Sequence, residues 1–262
     1  MKDSNLHHDS LRPSLSELAE VGFENVADAA ASYVRMGLSV TPLKGKDAFL
    51  PGWQNRRLSL EESPRHFSDG RNVGLVLGGD AGLVDLDNPS AVGVAGHILP
   101  PTMTSGREKN PHSHYWYISQ PSPASKTYAL SRVMAARLGL ESHGATLVEL
   151  RSTGRQTTVA PSVHPEDGDH YIWHGGDIRE IDGEELERLV RDVAAATLLA
   201  LHWPATGSRQ AFTLHAAGYL GRHMEHGRVE TILEAAASAA EVEEMPKRMG
   251  AMRDTLRKLR EG

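Results

Sequence analysis

Apolar residues recur at two different periods along this chain, and the change of period divides it. Val26, Ala30, Tyr33 and Val34 fall at helical spacing, and the run stops at Gly37, a residue suited to a helix C-terminus. "LSVTPL" (38–43) follows as a strand. Short aliphatic strands are predicted at "NVGLVLG" (72–78) and "GLVDLD" (82–87), linked by the turn "GGDA". Further strands are predicted at 114–119, 145–150, 156–160 and 170–173, with a helical pattern near 129–139. From Gly183 the texture changes to Ala/Leu-rich stretches with charged faces, separated by "HWPATG", "HG" and "EEMP". The pattern therefore predicts a polar, flexible N-terminus over 1–22, an α+β domain over 23–182 and a small helical module over 183–262, without a fixed-period repeat.

Composition narrows the chemistry. The chain has 262 residues, 39% of them apolar, which is ordinary for a soluble globular protein. No stretch approaches the roughly 18 apolar residues of a membrane span, and "MKDSNLHHDSLRPS" has no apolar core of a targeting segment. A cytoplasmic protein without membrane contact is expected. Cysteine is absent, so any metal must be held by Asp, Glu or His, which favours Mg²⁺ or Mn²⁺ over structural zinc.

Charge is unevenly placed. Between Pro101 and Pro165, Arg107, Lys109, Lys126, Arg132, Arg137, Arg151 and Arg155 face only Glu108, Glu141 and Glu149. That segment is net +4, leaving −10 for the remainder of a chain whose net charge is −6. Distant acids are screened beyond about 10 Å at 0.1 M salt, so the basic segment can still attract phosphates. A chance fluctuation on a solvated surface is the plain alternative.

Asp85 and Asp87 lie two apart on a predicted strand and so project from one face. Two adjacent carboxylates raise each other's proton affinity unless a cation sits between them, which points to a divalent metal. A calcium loop counted from Asp85 fails, because its sixth and twelfth positions are Ser90 and Gly96. Capping of the following turn is the structural alternative. Glu149 in "TLVELRS" ends another aliphatic strand. Two strands delivering acids to one cleft is the arrangement of two-metal phosphoryl transfer, although an edge-strand Glu paired with Arg151 would look the same.

"SGREKNPHSHYWY" (105–117) offers Arg107, Lys109, His112, Ser113 and His114, with both imidazoles expected on one strand face. Such a loop suits a triphosphate, and the His-x-His spacing also permits metal ligation. A solvated histidine pair is the alternative. "VAPSVHPEDGDHYIW" adds Ser162 and His164, a weak signal by itself. No GxxxxGK[ST], GxGxxG, GxSxG or HExxH occurs, which excludes the common NTPase, dinucleotide, lipase-type and zincin sites.

Taken in order, these motifs resemble the bifunctional DNA primase/polymerase domain of the archaeo-eukaryotic primase superfamily, found in plasmid and phage replication proteins. The resemblance spans roughly residues 24–175. It is carried by Gly37 to Leu43, by Lys44 or Lys46 with Trp53, by "NVGLVLG", and by Asp85-Leu86-Asp87. Thr102 or Thr104, Ser105-Gly106 and His114-Tyr115-Trp116 continue it, as do Glu149, Arg151, Gly154, Pro161 to Pro165, and Tyr171 with Trp173. The family's histidine loop is usually richer in glycine, and "REKNPHSH" departs from it. Residues Gly207, Arg209, Leu214, Ala217-Gly218 and Leu220 resemble the helical module that links such domains to a helicase. The ending "RDTLRKLREG" reads as a cut before such a domain.

The resemblance implies an RRM-like catalytic sheet with an accessory N-terminal αβ unit, followed by helices. It implies that Asp85, Asp87 and Glu149 hold two Mg²⁺ or Mn²⁺ ions for template-dependent nucleotidyl transfer from NTP or dNTP to a 3′-hydroxyl. Lys46, Arg107, Ser113, His114, Arg151, Ser162 and His164 would bind the nucleotide. Lys109, Arg132 and Arg155 would follow a single-stranded DNA template and its primer. Two rival readings stand beside it: a rolling-circle initiator or relaxase of the His-hydrophobic-His type, and a non-catalytic nucleic-acid-binding module.

Overall fold

The computed structural model describes residues 22–67, 70–79, 81–86, 88–140, 145–243 and 245–261. Apart from Gly22, the polar start expected over 1–22 lies outside the described residues, and so does Asp87. In chain order the elements are α1 (Val26–Arg35), β1 (Val40–Lys44), β2 (Asp47–Ala48), α2 (Ser63–His66), β3 (Asn72–Val76), β4 (Ala81–Asp85), α3 (Pro89–Ile98), β5 (Thr104–Arg107), β6 (Asn110–Gln120), β7 (Lys126–Ala129), α4 (Arg132–Arg137), β8 (Thr146–Arg151), β9 (Gln156–Thr158), β10 (Tyr171–His174), β11 (Arg179–Asp182), α5 (Gly183–Leu201), α6 (Arg209–Leu220), α7 (His226–Ala239) and α8 (Met245–Glu261). They form two compact units. The first takes residues up to Asp85, Pro101–Lys126 and Leu150–Leu186, and the second takes Leu86–Pro100, Thr127–Glu149 and Glu187–Gly262.

The first unit is mixed α+β. One antiparallel sheet has the order β2-β1-β3-β9. In the other sheet β10, β5, β6 and β4 are antiparallel neighbours, and β11 joins β6 in parallel. At eleven residues, β6 is long enough to pair with β5 through its first half and β11 through its second, while β4 lines its other side. Helix α1 starts at Asn25, whose side chain accepts from the Asp28 amide, a strong N-cap arrangement. Its buried face, Ala29, Ala30 and Tyr33, joins Val40, Val73, Leu75 and Val159 of the first sheet and Leu83, Trp116 and Trp173 of the second in one core cluster.

A single phenol ties that core together. The indole Nε1–H of Trp173 donates to the Tyr33 hydroxyl at 2.8 Å, and that hydroxyl donates to the Ala160 carbonyl at 2.5 Å. Trp116 packs on Trp173 with ring centroids 5.1 Å apart. Burial pushes the Tyr33 phenol well above its usual range, only partly offset by the bond from Trp173.

The second unit centres on α6, α7 and α8, whose Ala217, Val229, Leu233, Ala237, Met252 and Leu256 form its core. Helix α5 is joined to α7 by Asp192, a buried carboxylate that accepts a bidentate bond from Arg228 and an ion pair at 3.4 Å from Arg188. Helix α3 packs here too, with Gly93 against Ala239 of α7. That helix was not expected. An Asn-Pro pair is by itself a turn signal, whereas here Asn88 accepts from the Ser90 amide as an N-cap and Pro89 occupies the first helical position. Two glycines inside "PSAVGVAGHI" hide the helical signal.

Other expected elements form with shifted ends. The predicted strand 82–87 stops at Asp85, and 129–139 contracts to Arg132–Arg137 behind the cap Ser131. The segment read as a Ser/Gly/Arg/Lys loop is instead strand β5 and its hairpin into β6. Gly106 makes the hairpin possible, because a Cβ there would lie 2.5 Å from the Asn110 carbonyl oxygen.

Replacing Tyr33 by Phe keeps the ring packing and deletes the hydroxyl, leaving the Trp173 N–H and the Ala160 carbonyl without their buried partner. Urea unfolding is expected to show a loss of about 1–3 kcal/mol.

Candidate active site

In the first unit, one sheet face changes from apolar to polar over a single step of the strand pleat. Leu83 lies opposite Trp116 in the core, and two residues on, Asp85 lies opposite His114. Ser105 is the residue on β5 opposite His114. Residues facing each other across an antiparallel pair share a side of the sheet, so the row that begins as core ends as a cluster of ionisable groups.

Asp85 is 5% exposed, and an isolated carboxylate at that depth would be costly. It is not isolated. Arg151, the last residue of β8, places Nη2 2.8 Å from Asp85 Oδ2, and His114 places Nε2 3.4 Å from Oδ1. Burial pushes the carboxyl upward, but Arg151, His114 and Lys46 override it and hold the group down at about 2. Asp85 is therefore a permanent anion at neutral pH, suited to hold a cation and unsuited to act as an acid.

His114 is buried as well. Its Nδ1 lies 3.2 Å from Ser105 Oγ, which also receives the indole N–H of Trp116 at 2.9 Å. Lys46 sits exposed on the turn between β1 and β2, its carbonyl held by the Gln156 side chain. Tyr171 borders the same cluster: burial raises its phenol, the Arg107 and Arg151 charges lower it, and the Asp85 charge raises it again.

The loop after β9 is fastened to the first sheet. Ser162 is fully buried, and its hydroxyl accepts from the Val73 amide at 2.9 Å and donates to the Val73 carbonyl at 3.2 Å. Asn72 clamps the next residue, accepting from the Val163 amide and donating to the Val163 and Gly45 carbonyls. Ser162 thus shapes the loop through the backbone of β3. His164, 7% exposed, pairs its Nδ1 with Asp167 Oδ1 at 2.9 Å.

Two expectations from the sequence are corrected. His112 and His114 do not share a face. His114 bonds Ser105, while His112 bonds Thr104 through Nδ1 at 2.8 Å and stacks on His174 at 3.9 Å. Thr104 and Ser105 are consecutive strand residues and point to opposite sides. A bulge between Ser105 and Arg107 and a positive φ of 56° at His112 break the alternation that the spacing implied. The pair therefore cannot close on one metal, and the rolling-circle reading loses its motif. Ser113, buried beside Gly106, likewise faces away from His114.

Arg107 is also not the open cation expected, since Asp167 pairs with it at 3.2 Å and Asp169 stands 3.9 Å away. The acids of "PEDGD" fold back onto the basic hairpin. Lys109 and Arg155 are exposed on the first unit. Arg132 is exposed on the second unit, which also holds Glu149, half-buried and accepting from Thr127 Oγ1 at 2.7 Å. Among the described residues, no three His, Asp or Glu side chains converge as a metal-holding group. Asp85 itself fits a hard divalent ion, being a buried, permanently charged oxygen donor.

Sequence reasoning did not single out Ser105 or Tyr171 as site residues. The signal for Ser105 was its place two residues before Arg107 in a segment read as loop; only strand pairing puts it opposite His114.

Compared with known proteins, residues 30–190 match the family model described as bifunctional DNA primase/polymerase, N-terminal (Prim-Pol). Asp85, His114, Arg151 and His164 all lie within that match. No curated protein and no solved structure matches the chain.

Because the Asp85 carboxyl is depressed from 3.8 to about 2, its stabilising contribution is fully present above the higher value and is lost as pH falls through the lower. Asp85→Asn is expected to flatten the acid limb of the stability curve across that window, as read by urea unfolding at stepped pH. Arg151→Met leaves a buried carboxylate short of one donor, and a loss of about 1–3 kcal/mol at neutral pH is expected in the same measurement.

Proposed function

The chain belongs to the bifunctional DNA primase/polymerase (Prim-Pol) family, and from that premise we propose a template-dependent nucleotidyltransferase centred on Asp85, acting in plasmid or phage replication. Its substrates are nucleic acid and nucleotides. The observation that carries this reading is the buried, permanently ionised Asp85, gripped by Arg151 and His114 at the end of β4 within the matched region. A carboxylate needed only as a cap would gain nothing from that burial, since capping works equally well at the surface.

In this reading Asp85, Asp87 and Glu149 hold two Mg²⁺ or Mn²⁺ ions. Glu149 lies two residues before Arg151 on β8, so the pleat gives both side chains one face of that strand. When bound, the ions lower the pKa of the attacking 3′-hydroxyl and neutralise the leaving pyrophosphate. The chain's own groups bind and orient. Arg151 offers a guanidinium fork to phosphate oxygens, His114 a ring N–H, and Lys46 a point charge. Ser162, through Val73, holds the loop that carries His164. The 3′-oxygen forms its bond to the α-phosphorus, the bond to pyrophosphate breaks, and the hydroxyl proton leaves to solvent.

Exposed Lys109, Arg132 and Arg155 follow the template backbone, and binding weakens with salt. In this reading the catalytic sheet is of the RRM-like kind, and the similarity of Gly207, Arg209, Leu214 and Ala217-Gly218 to a helicase-linking module makes a helicase the expected partner.

The test is extension of a primed and an unprimed single-stranded template with nucleotides and Mn²⁺ or Mg²⁺. Wild-type protein should synthesise product, chelation should abolish it, and Asp85→Asn should lower the rate at least about 10²-fold while template binding persists. A wild-type protein that binds template and makes nothing with either metal would be a non-catalytic binding module, and the proposal would fail.

A further inference from the structure

The hydrogen bonds around His114 run in one direction. An indole N–H can only donate, so Trp116 must donate to Ser105 Oγ at 2.9 Å. Ser105 is 4% exposed, and among the described residues its remaining partner is His114 Nδ1 at 3.2 Å. The hydroxyl proton therefore has a single acceptor, and Nδ1 must receive it with its lone pair. The ring proton is then on Nε2. At that end the neighbour is Asp85 Oδ1 at 3.4 Å, a carboxylate that can only accept. Both ends of the imidazole impose the same tautomer.

We propose that Ser105 is a positioning residue that fixes His114 as the Nε2–H tautomer and aims that N–H into the site, with Trp116 holding the Ser105 hydroxyl in place. The series Trp116, Ser105, His114, Asp85 starts in the hydrophobic core and ends on the buried carboxylate. In it the indole donates to the hydroxyl and the hydroxyl to Nδ1, which turns the Nε2–H toward the carboxylate 3.4 Å away. Its functional consequence rests on the reading of His114 as a contact to the nucleotide's phosphates: an N–H is attracted to a phosphate oxygen, whereas the lone pair of the other tautomer would repel it. The assignment of the tautomer does not depend on that reading.

Asp85 and Ser105 act on the same ring, so the two contributions have to be separated. Long-range ¹⁵N–¹H correlation of the imidazole nitrogens, recorded at alkaline pH, does this. His114 is identified among the 14 histidines by the signal that disappears in His114→Gln. Wild-type protein and Asp85→Asn are both expected to show the proton on Nε2 and a hydrogen-bonded Nδ1. Adding Ser105→Ala to Asp85→Asn should make the two nitrogens converge toward a tautomeric average, and Ser105→Thr should restore them. In otherwise wild-type protein, Ser105→Ala should raise KM for the nucleotide about tenfold with a smaller change in kcat, the size of one lost hydrogen bond to a charged group. Ser105→Thr should rescue it.

A proton on Nδ1 in the wild-type spectrum overturns the proposal without any variant, which covers the case in which Ser105→Ala does not fold. Ring nitrogens that ignore the loss of the hydroxyl overturn it too, as does an active Ser105→Ala enzyme with unchanged KM. If the nitrogens behave as expected but wild-type protein incorporates no nucleotide, the reading of the site fails while the role of Ser105 stands.

Discussion

A buried negative charge is the constraint around which the first unit is organised. The Asp85 carboxylate is removed from water, and such a group is tolerated only if each oxygen finds a donor. One oxygen takes Arg151 and the other takes His114. Each of these partners must in turn be held. Arg151 is itself the last residue of β8, and His114 lies in the middle of the eleven-residue β6, braced through Ser105 and Trp116. The requirement propagates from one charge into the pairing register of β4, β5 and β6.

That register also explains how one sheet face can be both core and site. The pleat places Leu83 and Asp85 on the same side, opposite Trp116 and His114. The aromatic layer of Tyr33, Trp116 and Trp173 closes the apolar end against water, and the ionic cluster begins one residue pair later. Low local dielectric strengthens the electrostatic bonds at that boundary. The tryptophans therefore serve the site through the medium they create as well as through the bond from Trp116 to Ser105.

Much of this was legible in the sequence, and what was not has specific physical causes. The paired acids of "GLVDLD", the strand before Arg151 and the period change at Gly183 all follow from local spacing. The helix at Pro89–Ile98 escaped notice because Asn-Pro marks a turn and a helix start equally well, and its glycines suppress the helical pattern. The faces of His112 and His114 were misjudged because a bulge and a positive φ are tertiary outcomes of the hairpin, invisible to a two-residue period. Arg107 looked like an open cation because the acids that cover it, Asp167 and Asp169, are 60 and 62 residues away along the chain. The Ser105 contact needed the strand register itself.

The tightness of the hairpin at Gly106 has a consequence for how this region can drift in sequence. Ser105 supplies a hydroxyl and Gly106 supplies the absence of a side chain, with the Asn110 carbonyl only 2.5 Å from where a Cβ would stand. Neither residue can take over the other's place, and neither can be compensated from a neighbouring position without shifting His114 off Asp85. The side chains of the exposed tip, Glu108 and Lys109, meet no such steric limit. The hairpin thus couples a sterically fixed two-residue step to a solvent-exposed tip.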